Sequence, residues 1–288
     1  MQILITAMEL GLIFGVMSMG IFITFKILNL PDLTIDGSYT LGAAVAAVIT
    51  VQGHPYLGVL AAFACGALAG IITGLLHTKL HIDPILSGIL TMTGLYSINL
   101  RIMGQRPTIS IFGKKDIYEV FAPWLPATVL KPAVHVLFLF IIGFLLYRFL
   151  KTQIGISMIA TGDNEEMVRA SSINADAMKI LGLAIGNALV AGAGAFMVSY
   201  TGFADINGGT GMMVIGIASI IVGATLLGES SIFVCFIGVV VGAVLYRYVL
   251  ALALSIGLAA GDLKLLSSLL VVIAVGLPSV RKRMKGAR

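Results

Sequence analysis

Two long apolar regions flank a single extended polar run, Lys151 to Lys179 (KTQIGISMIATGDNEEMVRASSINADAMK), and this arrangement restricts the fold more than any other feature. The flanking regions divide into blocks near the length a helix needs to cross a hydrocarbon core of about 30 Å. Only 11% of the residues are charged and 59% are hydrophobic, whereas a soluble domain carries roughly 25% charge. The chain therefore reads as an all-α polytopic membrane protein in which one integral domain fills the sequence. The first block, Ile3 to about Phe25, lacks a basic leading segment and a small-residue cleavage site, so it is expected to be a retained span rather than a signal peptide.

Punctuation between the blocks predicts about nine spans, with a range of eight to ten. Five precede the polar run: Ile3–Phe25, Ser38–Gln52, Tyr56–His77, Pro84–Met103 and Pro132–Leu150. Four follow it: Ala177–Tyr200, Met212–Leu227, Ile232–Leu250 and Lys264–Leu277. A basic tail, Arg281 to Arg288, lies an even number of spans from Lys151, Arg169 and Lys179, so tail and polar run share the cytoplasmic side and the amino terminus lies outside. The segment Gln105 to Lys131, with Pro107, Pro123, Trp124 and Pro126, becomes an external interfacial cap. The net charge of +5 is spread over loop ends and tail, which fits membrane orientation and no nucleic-acid partner. Cys65 and Cys235 sit in separate apolar blocks without CxxC spacing and read as packing residues.

An internal repeat is visible when Leu10–Gly37 is laid without gaps on Leu181–Gly208: 7 of 28 positions are identical, including Gly11/Gly182, Gly15/Gly186 and Gly37/Gly208. With four spans per unit and one joining span, the two copies run in opposite directions, the inverted-repeat plan of many transporters. The expected organisation is repeat one over about 3–104, an external loop and linking helix over 105–150, a cytoplasmic loop over 151–179, repeat two over about 177–279 and a basic tail over 280–288. Each copy has a short block, Ser38–Gln52 and Met212–Leu227, after a turn-rich lead-in. Short or interrupted helices at matching places point to a substrate path between them.

The candidate path residues follow. Asp36 and Ser38 could cap the first short helix, and Asn207 and Thr210 the second, either as plain caps or as donors facing a solute. Ser87, Thr91 and Asn99 on the fourth span could line a polar passage or bond helix to helix. The GxxxG patterns at Gly11/Gly15, Gly66/Gly70/Gly74, Gly182/Gly186 and Gly238/Gly242 imply close helix crossings. Arg247 is expected to snorkel to the external interface, with Asp262 as a possible partner. His77 and His81 have a ligand-like i, i+4 spacing but lack partner ligands, so no metal site is expected. Walker, GxSxG and HExxH motifs are absent, so no catalytic residue is assigned. The spans read as free of intramembrane acids, which argues against proton or sodium coupling. Energy would then come from another protein.

In the polar run, Asp163 and Glu166 have capping-box spacing and predict a short helix starting near Asn164, with Glu165 and Glu166 in its first turn and Met167, Val168 and Ala170 as a small docking surface. A solvated loop with one helical turn is the other reading.

Three stretches resemble the permease subunits of ABC importers of the branched-chain amino acid and ribose-type family. They are GLIFGVMSMGIFITFKILNLPDLTIDGSYTLGAAVAA (Gly11–Ala47), IGISMIATGDNEEMVRASSIN (Ile154–Asn174) and GNALVAGAGAFMVSY with GIASIIVGATLLGESSI. The resemblance implies a bacterial plasma (inner) membrane location, a second permease protomer in a homodimer, two cytoplasmic ATPase subunits that bind ATP and Mg, and an extracytoplasmic solute-binding protein. It implies no cofactor in this chain. It assigns Gly162, Asn164, Glu165, Met167 and Arg169 to ATPase docking, with Asp163 and Glu166 shaping the coupling helix. The family's N-L-A-H-G turn is replaced here by Asn29-Leu-Pro-Asp-Leu-Thr-Ile-Asp-Gly37. That variant is similar to a branch linked to aromatic amino acids such as tryptophan. The expected cargo is a small polar solute, an amino acid first, with sugar or nucleoside as the alternative; a stand-alone channel or membrane enzyme is the rival class.

Overall fold

A computed structural model describes residues 2–120, 127–257, 262, 265–269 and 272. The helices are α1 (Gln2–Phe22), α2 (Thr34–Val51), α3 (Pro55–Thr78), α4 (Pro84–Ile102), α5 (Ala127–Leu150), α6 (Gln153–Asp163), α7 (Glu165–Ala170), α8 (Ala175–Thr201), α9 (Met212–Leu227) and α10 (Ile232–Ser255). Among the described residues, seven helices are long and apolar enough to cross a membrane, α1 to α5, α8 and α10, while α9 is shorter at 16 residues. These account for eight of the expected blocks. The remaining one, Lys264–Leu277, lies largely outside the described residues, as do Pro123, Trp124, Pro126 and the basic tail.

Burial separates an inner set from an outer one. In the most apolar stretch, 83%, 78% and 72% of α1, α2 and α8 is buried, against 39%, 28%, 28% and 33% of α3, α4, α5 and α10. The outer helices leave Leu60, Leu68, Phe140 and Phe144 exposed on faces suited to lipid. Packing is crosswise: α8 packs on α2 and α3, α1 packs on α9 and α10, and α1 and α8 pack on each other. Because lipid tails are as apolar as leucine, tight contacts here rely on small residues that let backbones approach. Gly66, Gly70 and Gly74 of α3 lie against α8, and a Cβ on Gly70 would run into the Leu183 carbonyl oxygen. Gly42 of α2 meets Ala191, and Gly242 of α10 meets the Ser219 carbonyl of α9. The glycine patterns thus mark real crossings.

Two local features depart from the sequence reading. The second span starts at Thr34 rather than Ser38, because the Asp32 carboxylate accepts the Thr34 N–H at 2.9 Å and ties the chain into a turn just ahead of the helix. The segment after α4 also contributes β1 (Thr108–Ser110) to a short antiparallel ribbon with β2 (Phe203–Asp205) after α8, pairing Thr108 with Asp205. Three residues per strand are too few to register as a periodic pattern.

Candidate functional site

The chain leaves α1 through a π-helical turn, Ile23–Ile27, reverses at Asn29 (φ 54°) and enters α2 at Thr34. Asp32 and Ser38 both bond Asn187, which lies near the middle of the 27-residue α8, so α2 begins deep within the helical layer. Asn187 Nδ2 donates to Asp32 Oδ2 at 2.6 Å and to the Leu183 carbonyl at 2.9 Å, and Ser38 Oγ donates to Asn187 Oδ1 at 2.6 Å. All three side chains are buried. A bonded chain of this kind satisfies polar groups that would otherwise be costly to bury. Beside it, the hydroxyls of Thr34 and Thr73 are 2.7 Å apart and Thr73 donates to Thr91 at 3.0 Å.

The start of α9 arrives at the same place. Gly211 has φ 85° and no side chain with which to cap the helix that follows. Asp36 of α2 supplies the cap from across the fold: its carboxylate accepts Gly211 N–H at 2.8 Å and Met213 N–H at 2.9 Å, while Thr40 Oγ1 accepts Gly209 N–H at 3.1 Å. Two short helices therefore meet at one carboxylate.

This corrects the capping assignments. Asp36 sits inside the first turn of its own helix and caps the other one. Ser38 binds Asn187 instead of its own backbone. Asn207 and Thr210 are exposed turn residues; Asn207 N–H donates to Asp205 and Thr210 N–H to the Asn207 carbonyl, and neither caps α9. The gapless repeat register also fails here, since Gly37 lies within α2 while Gly208 lies in the turn before α9. Ser87, Thr91 and Asn99 are buried in α4; Asn99 Nδ2 donates to the Gly37 carbonyl at 3.2 Å, and Ser87 and Thr91 donate to backbone carbonyls on their own helix or its lead-in. Asn99 and Thr91 thereby tie α4 to α2 and α3, and Ser87 ties it to its own lead-in.

The expectation of acid-free spans is also corrected. Glu9, Asp32 and Asp36 are all set among the helices, and Glu9 accepts the Tyr200 hydroxyl at 3.0 Å. Arg247 does not snorkel. Its guanidinium lies 3.7 Å over the Phe14 ring, its Nε is buried without a hydrogen-bond partner, and among the described residues, Asp262 included, it forms no ion pair. The wide apolar contact offered by Phe14 competes with hydration of the cation. A lone Glu, Asn or Arg inside an apolar block was the available signal for Glu9, Asn187 and Arg247.

At the opposite end from the ribbon, the polar run is ordered as α6 and α7. Thr152 Oγ1 caps α6 by accepting Gly155 N–H at 3.2 Å, and Met158 is fully buried beneath it. Gly162 is pressed on the Ile27 carbonyl, so its role is close contact with the π-helical turn that follows α1. The cap of α7 falls on Asn164, whose Oδ1 accepts Met167 N–H at 3.0 Å; Asp163 is already the last residue of α6 and cannot serve as that cap. Val168 is buried and anchors α7, while Asp163, Glu166, Met167 and Ala170 are exposed. Glu165 turns back to the body, accepting from Lys179 Nζ at 2.6 Å and Arg169 Nη2 at 2.8 Å; Arg169 also bonds Asp176, which Lys79 approaches at 3.5 Å. The Lys179 bond, then Arg169, holds the Glu165 carboxyl below its ordinary range. Lys26 and Glu229 pair at 2.8 Å on the same end. His77 Nδ1 lies 2.9 Å from the Ile82 carbonyl, and no cluster of potential metal ligands occurs among the described residues.

Stacked apolar spans, a buried polar junction where two short helices meet and an ordered polar surface at one end define a multi-pass membrane transport protein. The chain belongs to the family described as branched-chain amino acid transport system, permease component, which it matches over residues 3–276. It is 41% identical over 271 residues to the tyrosine transport system permease protein of Clostridioides difficile, covering 93% of this chain and 89% of that one. It is 34% identical over 292 residues to an uncharacterised protein of Rickettsia prowazekii, covering 98% and 99%. More distantly, it is 26% identical over 221 residues to the ribose import permease protein of Escherichia coli, covering 75% and 67%. No solved structure matches the chain. By these relationships it is a transport subunit and not an enzyme.

Proposed function

We propose that the chain is the membrane-spanning permease of an ATP-driven importer that passes an amino acid, aromatic in type, from an extracytoplasmic solute-binding protein to the cytoplasm. Two copies of the permease would work with two ATPase subunits, which bind the ATP and Mg. The observation that carries this reading is the build of α7: a capped six-residue helix anchored by Val168, braced by Glu165, Arg169 and Lys179, and presenting Glu166 and Met167 outward. A surface so held yet so small suits contact with another protein. Gathering of Lys26, Lys79, Arg169 and Lys179 at this end agrees with a cytoplasmic position in the plasma membrane. The crosswise packing of α1 and α8 supports inverted repeats, and the meeting of α2 and α9 at Asp36 gives them a common pivot for alternating access.

The amino-acid cargo follows the tyrosine transport relative; the ribose import relative supports sugar as the second reading. Uptake of labelled L-tyrosine and of ribose by cells expressing the chain with its ATPase and binding protein separates the two. For coupling, Met167→Asp and Glu166→Arg are expected to weaken co-purification of the ATPase and uptake while leaving the chain's membrane level unchanged. Wild-type co-purification and uptake in both variants would refute the assignment.

A further inference from the structure

Tyr200 lies near an acid and a base that form no ion pair among the described residues. Its hydroxyl donates to Glu9 on α1, and it also interacts electrostatically with Arg247 on α10. Glu9 is buried and forms no ion pair among the described residues, and it does not pair with Arg247. Arg247 keeps a buried Nε with no acceptor among the described residues. Tyr39, which also interacts electrostatically with Arg247, has a buried hydroxyl without a partner among the described residues. Ionisable groups inside a membrane domain normally pair with each other or with backbone, and those that do not mark a ligand or ion path. The Arg247 charge sits over the flat apolar face of Phe14.

From this arrangement we infer that Glu9, Tyr200, Tyr39 and Arg247 form a transit site for a zwitterionic α-amino acid. The Arg247 guanidinium and the Tyr39 hydroxyl take its carboxylate, and Glu9 takes its ammonium. A guanidinium matches a carboxylate with paired N–H donors and satisfies an otherwise orphaned donor in the same step. A free sugar carries neither charge and leaves both groups unpaired, which disfavours it. The inference rests on the amino-acid reading above and adds the residues that would enforce it.

Weak binding to the full chain in nanodiscs, followed by saturation-transfer NMR, tests it with three probes: L-tyrosine, tyramine, which lacks the carboxylate, and 3-(4-hydroxyphenyl)propionate, which lacks the amine. Wild type is expected to bind L-tyrosine more tightly than either analogue. Arg247→Gln is expected to weaken L-tyrosine roughly tenfold, as loss of one charge-assisted contact implies, and to leave tyramine unchanged. Glu9→Gln should weaken L-tyrosine and leave the propionate unchanged, and Arg247→Lys should recover part of the loss. Retained analogue binding doubles as evidence that each variant is folded. Unchanged L-tyrosine binding in Arg247→Gln, or an equal loss for tyrosine and tyramine, overturns the site while leaving the amino-acid reading intact. Failure of wild type to bind any of the three overturns the site, while uptake of labelled L-tyrosine decides the amino-acid reading separately.

Discussion

The carboxylate of Asp36 in α2 accepts the backbone N–H of Met213 in α9 at 2.9 Å, across 177 positions of sequence. A helix start is an array of unpaired donors with a partial positive charge, and a carboxylate answers both. Here the carboxylate belongs to a different short helix, so the two helix starts are fixed to each other rather than to solvent.

Asp36→Ala removes the acceptor for two part-buried N–H groups. The expected loss is about 1–3 kcal/mol of stability, read as a lower unfolding temperature of the purified protein. Asp36→Asn keeps one good acceptor and should fall between. An unchanged unfolding temperature in Asp36→Ala would mean the cap contributes nothing.

Asn187 offers a sharper test, because its amide serves Asp32 and Ser38 together. Asn187→Leu strands a buried carboxyl and a buried hydroxyl and should cost about 3–5 kcal/mol, the usual penalty for breaking a buried polar pair from one side. Adding Asp32→Ala removes the stranded carboxyl, so the double variant should cost about 1–3 kcal/mol less than the sum of the singles. Additive losses would show that the two side chains are not coupled.

Glycine substitutions should divide by contact and not by helix propensity. Gly70→Val drives a side chain into the Leu183 carbonyl of α8 and should prevent stable insertion of folded protein, seen as loss of the monodisperse peak in size-exclusion chromatography. Gly94, also in an apolar helix, has nothing within 4 Å of a built Cβ. There alanine should be neutral or gain up to about 1 kcal/mol. Equal damage at both positions would contradict the packing.

Acid should loosen α7 through Glu165. Its carboxyl titrates below the ordinary value in the folded protein, so its bonds contribute at every pH above the ordinary carboxylate range of about 4 and are lost as the pH falls through the folded value. The group is partly exposed, so the effect is local and modest. A spin label at Ala170 should stay restrained near neutrality, become mobile only in acid, and be mobile at all pH values in Glu165→Gln. A label insensitive to both acid and the substitution would remove Glu165 from the bracing of α7.

Much of the architecture could be read from the chain alone. The eight spans within the described residues fall within a few residues of their expected ends, the short helix after Asn164 exists, and Gly66, Gly70 and Gly74 mark a true helix crossing. Each of these depends on composition or spacing along one segment. The polar sites were less legible. Asp36, Ser38 and Arg247 were visible as residues, but their partners Met213, Asn187 and Phe14 lie on segments distant in sequence.

That division has a physical cause. Hydrophobic length and periodicity are local, so the sequence by itself determined that this chain crosses a membrane many times, where its helices pack closely and which run is polar. Whether a charged side chain turns to the interface or inward depends on what stands opposite it. Only the tertiary structure decided that Asp36 closes the start of α9, that Glu165 faces Lys179, and that Arg247 lies on Phe14 with a donor left unpaired.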